Sequence, residues 1–146
     1  MKAQTLRAGL TAMAIAIGIT MSSGAQAVEI NDLFLFGDSY TDTGAYVPLT
    51  NGSTAGAYLA SSFGIDLVTS KDAAPGTSGV NFAESGARVA RGPTPPATQP
   101  RSLTQQVAEF QAYVQSGALT FDPDSTLFFL LGGLNEFARD SRSDLT

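Results

Sequence analysis

Two apolar runs that each end in a glycine turn constrain the fold of this 146-residue chain more than any other feature. The first covers residues 29–36 and stops at Gly37-Asp38-Ser39, and the second covers residues 126–131 and stops at Gly132-Gly133-Leu134-Asn135. Nearly continuous apolar runs of this length are typical of strands that are covered on both faces, as in a parallel sheet. We therefore predict an open α/β sheet with Ser39 and Asn135 at the same edge, beyond the carboxyl ends of the strands.

Helical patterns lie between the two runs. Ser53 or Thr54 can cap a helix that extends to about Phe63, and Gly64 supplies the left-handed residue that ends it. A capping-box pair, Ser102 with Gln105, precedes apolar residues at helical spacing, which predicts a second helix over residues 103–116. Short extended segments are expected at residues 65–68 and from residue 79 onward. The proline-rich residues 92–100 are expected to form a loop.

The first 27 residues have the three-part layout of a secretory signal peptide. Lys2 and Arg7 precede an apolar stretch over residues 10–21, and Ala25-Gln26-Ala27 forms a small-x-small cleavage site. A membrane anchor is the alternative, but the stretch is shorter than the ~20 residues that cross a bilayer. We predict that the mature chain begins at Val28, that residues 28–146 form one domain, and that the protein is secreted.

Charge and composition exclude several classes of function. Removing Lys2 and Arg7 with the signal peptide changes the formal net charge from −5 to −7. An acidic chain without basic runs is not suited to nucleic acid or to anionic lipid surfaces. The chain has no cysteine, so disulfides and thiolate zinc sites are excluded. The Walker and dinucleotide-binding motifs are absent from the sequence, and we predict no cofactor.

Ser39 is the candidate nucleophile, because a buried strand would deliver its hydroxyl to the rim of the sheet. A serine nucleophile needs a base that accepts its proton, and the chain contains no histidine. The backbone N–H groups of Ser39 and Gly86 and the side-chain amide of Asn135 could together stabilise an oxyanion. Each residue also has a structural interpretation: Ser39 as a turn residue, Gly86 as a positive-φ position, and Asn135 as a helix cap.

Three segments resemble, in order and spacing, the sequence blocks of the GDSL (SGNH) lipases and esterases. The first is residues 36–44, with Tyr40 where leucine is most frequent in the family. The second is residues 81–87, with Ser85 where many members have another glycine. The third is residues 133–136, in which Glu136 replaces the usual aspartate.

The resemblance implies a three-layer α/β/α fold around a central five-stranded parallel sheet. It also implies that Ser39 is the nucleophile and first oxyanion donor, with Gly86 and Asn135 as the other two donors. The implied substrate is an ester, either a lipid or an acylated carbohydrate. The implied location is the outside of a bacterial cell, the periplasm or the outer-membrane surface, and some members associate with the outer membrane through a C-terminal region.

One family element is not found in residues 1–146. Members carry an Asp-x-x-His block, and neither Asp140 nor Asp144 is followed by histidine. The main hypothesis is therefore an ester hydrolase of which this chain is the N-terminal part. The alternatives are an inactive secreted binding module that kept the oxyanion pocket, and a fragment that does not fold stably because half a parallel sheet leaves an open edge.

Overall fold

The chain forms a parallel sheet with helices on both faces. The computed structural model describes residues 28–44, 52–90 and 100–137. The helices and strands follow one another as β1 (Asp32–Gly37), α1 (Ala55–Ser62), β2 (Val68–Thr69), β3 (Gly79–Asn81), α2 (Leu103–Gln115) and β4 (Thr126–Leu131). The four described strands are all parallel, in the order β2-β3-β1-β4. This confirms the predicted α/β class, with four strands described where the family resemblance implies five.

β1 separates two hydrophobic layers because its side chains alternate between the faces of the sheet. Leu33 and Leu35 pack with Ala60 of α1 on one face. Phe34 and Phe36 lie on the other face, in an aromatic cluster that includes Phe110 of α2. All four β1 side chains are buried, so the prediction of a strand covered on both faces is confirmed for β1. α1 and α2 therefore form the outer layers of an α/β/α arrangement.

The helices begin where the capping residues predict. Thr54 caps α1 by accepting a hydrogen bond from the backbone N–H of Ala57. Ser102 caps α2 in a complete capping box, in which the Gln105 side chain accepts from the backbone N–H of Ser102. The predicted second strand was misplaced, because β2 begins only at Val68. The preceding Ile65 and Leu67 instead pack against the α1-side core.

The prediction that the second apolar run is buried on both faces is wrong. Phe128 and Leu130 of β4 are 47% and 59% exposed, although Phe128 still contacts the ring of Phe34. β4 lies at the edge of the four-stranded sheet, and the described helix on that face, α2, packs mainly over β1 and β3. An apolar sequence run therefore did not distinguish a central strand from an edge strand.

Replacing Ser102 by alanine is expected to destabilise the domain by about 1 kcal/mol, the usual value of an N-cap side chain. Ser102 is fully buried, and its hydroxyl accepts from the backbone N–H of Gln105. Urea denaturation followed by circular dichroism would measure the loss. The control is Ser61→Ala, at an exposed position of α1, which should change the free energy of unfolding little. Equal stability of the two variants would contradict the assigned cap.

The predicted signal peptide, residues 1–27, lies outside the described residues, as does most of the predicted proline-rich loop. Within residues 28–44, 52–90 and 100–137, none of the helices combines the length and the apolar character needed to cross a membrane.

Candidate active site

Ser39 lies in a tight turn that follows β1 directly. The backbone carbonyl of Asp38 accepts hydrogen bonds from the N–H groups of Thr41 (3.0 Å) and Asp42 (2.9 Å). The Asp38 side chain, which is fully buried, accepts from the N–H of Tyr40 at 3.1 Å. Asp38 therefore shapes the turn by an Asx-type contact, as its sequence position suggests. Ser39 itself is exposed, and no described residue makes a hydrogen bond to its hydroxyl.

The close approach of two neighbours explains the glycine that begins this turn. A Cβ on Gly37 would lie 2.7 Å from the carbonyl oxygen of Leu131 and 2.8 Å from the Thr41 hydroxyl. Both distances are shorter than the closest approach that a carbon atom and an oxygen atom tolerate. A larger residue at position 37 would push the turn away from β4, so Gly37 allows the serine to follow the strand so closely.

A second turn, which contains Gly86, is bonded to the first. The backbone N–H of Glu84 donates to the carbonyl of Gly37 at 3.1 Å, and the N–H of Ser85 donates to the carboxylate of Asp42 at 2.8 Å. Gly86 has a φ of +79°, a backbone conformation that glycine adopts without strain. The turn that carries Ser39 and the turn that carries Gly86 are therefore held together by direct hydrogen bonds.

Asn135, four residues after β4 ends, contacts the second turn. Its Nδ2 donates to the carbonyl oxygen of Ala87, the residue after Gly86, at 2.8 Å. The neighbouring Glu136 accepts from the backbone N–H of Val89 through Oε1. β4 pairs with β1 in register up to Gly37, so both strands end at one edge of the sheet. The structure thus places Ser39 and Gly86 on two adjacent turns and Asn135 beside them, on the first turn of a helix that begins at Leu134.

The amide of Asn135 can make a further hydrogen bond. An –NH₂ group carries two hydrogens, and the contact with Ala87 uses one of them. No described residue accepts the second. The helix-cap interpretation of Asn135 is wrong, because the helix already begins at Leu134 and Asn135 lies within it, with its Nδ2 donating to another turn. The geometry suits a group that joins two turns and offers one more donor.

Asn81 is a residue whose role the sequence did not indicate. It is buried at the end of β3, and its Nδ2 donates to the backbone carbonyl of Thr41 (2.8 Å) and to the hydroxyl of Thr43 (3.1 Å). Its Oδ1 accepts from the N–H of Ala83 at 3.0 Å. Asn81 therefore links the strand before the second turn to the first turn. The available signal was a polar residue that ends a short extended segment.

An ion pair between buried Glu84 and partly exposed Arg101 holds the second turn in place. Glu84 is 3% exposed, and its carboxylate contacts the guanidinium of Arg101 and accepts from the backbone N–H of Arg101 at 2.8 Å. Arg101 also contacts Glu109 of α2. Burying a carboxylate without such partners would be costly. The pair therefore fixes the turn to the segment that leads into α2.

Asp42→Asn is expected to destabilise the fold by about 1–3 kcal/mol, the cost of leaving a buried donor without its acceptor. Asp42 is 4% exposed, and its two oxygens accept separately from the N–H groups of Gly44 and Ser85. An amide in its place can accept through only one oxygen. Thermal denaturation would measure the effect against Asp66→Asn, a change at an exposed position. Identical melting temperatures would contradict the bridging role.

A cavity of about 550 Å³ lies at the opposite end of the sheet, lined by residues 28–31, 62–66 and Ser78, and none of the three candidate residues reaches it. Within residues 28–44, 52–90 and 100–137 there is no group of three or more His, Cys, Asp or Glu side chains that could hold a metal ion.

Comparison with known proteins agrees with the three blocks. The family model described as GDSL-like Lipase/Acylhydrolase matches residues 33–144, which is most of the chain. The match contains all three turns described above. A search of curated proteins finds no match. The chain belongs to the GDSL-like lipase and acylhydrolase family, whose members are hydrolases that act on ester substrates.

Proposed function

We propose that this protein is a secreted carboxylic ester hydrolase with Ser39 as its nucleophile. The Oγ of Ser39 attacks the carbonyl carbon of the ester, and a base accepts the hydroxyl proton. The alcohol leaves with a proton returned by the base, and a water molecule then releases the acid from the acyl-serine. The N–H of Ser39, the N–H of Gly86 and the second amide hydrogen of Asn135 stabilise the oxyanion of both tetrahedral intermediates.

One observation supports this proposal most strongly: the turns that carry the three residues are bonded to one another. Ser85 donates to Asp42, and Asn135 donates to Ala87, so the hydrogen bonds run from the first turn through the second to the third. Stabilising an oxyanion requires donors that are fixed before the reaction begins. The hydrogen bonds between the turns supply this fixed arrangement.

The base that accepts the Ser39 proton is not found among residues 1–146. Because residues 1–146 contain no histidine, we propose that the reading frame continues beyond Thr146 into an Asp-x-x-His segment that supplies the base and its carboxylate partner. We further propose export by the predicted signal peptide and a substrate that is a lipid ester or an acylated carbohydrate. Any association with the outer membrane would also depend on that continuation.

The first test is to sequence past Thr146 and to assay the full reading-frame product, meaning the whole protein that contains residues 1–146. We expect an Asp-x-x-His segment and hydrolysis of a short-chain p-nitrophenyl ester. A stop codon directly after Thr146 would contradict the proposed source of the base. It would favour instead an inactive binding module, the function that the missing histidine supports as the second candidate.

Residues 28–146 alone allow a second test. Imidazole in solution can replace a missing histidine base, so residues 28–146 should hydrolyse the same ester faster in imidazole than in an equally buffered control. The increment above the reaction of imidazole alone should disappear in Ser39→Ala. Absence of any Ser39-dependent increment from a folded chain would count against the oxyanion site being formed within these residues.

A further inference from the structure

Gln106 is buried on the apolar face of α2, where its neighbours in the sequence would predict a hydrophobic residue. It lies three residues after Leu103 and one before Val107, and it is 0% exposed. Burying an amide without hydrogen-bond partners is costly, so a glutamine at such a position needs hydrogen bonds that satisfy it. Neither the capping of α2 nor its packing accounts for this side chain.

The Gln106 amide forms a reciprocal pair with the backbone of Gly37. The N–H of Gly37 donates to Oε1 at 2.9 Å, and Nε2 donates to the carbonyl of Gly37 at 2.9 Å. Nε2 also donates to the carbonyl of Arg101 at 3.2 Å. The register between β1 and β3 ends at Leu35 and Asn81, two residues before Gly37. Gln106 thus supplies the pairing that β3 no longer provides at the last residue of β1.

The backbone of Gly37, which Gln106 holds on both its N–H and its carbonyl, is connected to two of the three candidate oxyanion donors. Gly37 is two residues before Ser39, and its carbonyl also accepts from the N–H of Glu84, two residues before Gly86. No described residue forms a hydrogen bond to the Ser39 hydroxyl, so the position of that hydroxyl depends on the backbone of its turn. A shift of Gly37 would move the two donors relative to each other.

We infer that Gln106 is a positioning residue of the ester hydrolase, which fixes the separation between the donors on Ser39 and Gly86. This inference rests on the proposed function. Misplacing a reacting group by about 1 Å can cost on the order of 10²-fold in rate. Gln106 contacts neither substrate nor oxyanion, so its loss should lower kcat and leave KM nearly unchanged.

The test compares Gln106→Leu and Gln106→Glu with wild type in the full reading-frame product, measuring kcat and KM for a p-nitrophenyl ester. Leucine introduces an apolar side chain of similar size and removes both bonds to Gly37, whereas glutamate keeps an acceptor for the Gly37 N–H and removes the donor to the Gly37 carbonyl. We expect kcat to fall about 10²-fold for leucine. The fall should be at least as large for glutamate, because one of its oxygens would replace the Nε2 donor beside the carbonyl oxygens of Gly37 and Arg101, and KM should be nearly constant for both.

Two controls separate positioning from loss of stability. Gln111→Leu makes the same substitution at an exposed position of α2, and Val107→Ala removes packing from the aromatic cluster without a contact to Gly37. Both should retain the wild-type kcat, and melting temperatures identify how far each variant is destabilised. If Val107→Ala, at an equal loss of melting temperature, lowers kcat as much as the Gln106 variants, Gln106 is only structural.

The remaining outcomes are also decisive. Wild-type kcat in folded Gln106→Leu and Gln106→Glu would overturn the positioning role while leaving the esterase intact. If neither variant folds, hydrogen exchange of the Gly37 amide in the wild-type protein replaces the kinetic test. Protection of that amide equal to that of the β1 core supports a rigid clamp, and rapid exchange overturns it. Failure of wild type to show any Ser39-dependent hydrolysis would instead refute the proposed function itself.

Discussion

Replacing Ser39 by alanine is expected to lower kcat of the full reading-frame product by about 10⁶-fold, the effect of removing the nucleophile from a serine hydrolase. Ser39 is exposed at the end of a buried strand, and no described residue makes a hydrogen bond to its hydroxyl. Removing that hydroxyl should therefore leave the melting temperature nearly unchanged. Steady-state hydrolysis of a p-nitrophenyl ester and a thermal denaturation curve measure the two quantities.

The matched control is Ser61→Ala, which removes a hydroxyl from an exposed position of α1. It should retain full activity. If Ser39→Ala remains within tenfold of wild type, Ser39 is not the nucleophile. The turn would then be a structural feature that resembles the family block without its chemistry.

Asn135→Ala is expected to lower kcat by about 10²–10³-fold, because it removes one of three oxyanion donors. The variant also loses the hydrogen bond from Nδ2 to Ala87, which should cost about 1 kcal/mol of stability. The kinetic effect therefore exceeds what the change in folding can explain. Measurements of kcat and KM at a temperature where the variant is fully folded separate the two.

Asn31→Ala is the control for this substitution, since Asn31 is exposed at the opposite end of β1. We expect it to change neither kcat nor KM. A loss of activity in Asn135→Ala that appears only in KM would indicate binding of the substrate rather than stabilisation of the oxyanion. It would contradict the role proposed for this side chain.

The sequence predicted the elements whose signals are local. The capping box of Ser102 and Gln105 placed the start of α2 correctly, and the run from Thr126 to Leu131 matches β4 residue for residue. The glycine turns after β1 and β4 correctly indicated which edge of the sheet carries Ser39 and Asn135. These features depend on hydrogen bonds and apolar spacing over a few residues, so a single sequence contains them.

The sequence did not predict features that depend on residues far apart in the chain. Phe128 and Leu130 look like core residues in the sequence, and their exposure follows from the edge position of β4 in the sheet. Gln106 looks like an ordinary polar residue of a helix, and its role depends on Gly37, 69 positions earlier. The bond from the Gly44 N–H to Asp42 is local, two residues along the chain, but the bond from the Ser85 N–H to Asp42 requires the folded sheet.

The central claim is that Ser39 acts as the nucleophile of an ester hydrolase, and covalent trapping tests it most directly. A p-nitrophenyl phosphonate transfers its phosphonyl group to an activated serine hydroxyl and releases p-nitrophenolate. We expect one phosphonyl group per molecule of the full reading-frame product, located on Ser39 by peptide mass spectrometry, with activity lost in proportion to labelling. Hydrolytic activity that persists while Ser39 stays unlabelled, or an activity-destroying label on another residue, would contradict the claim.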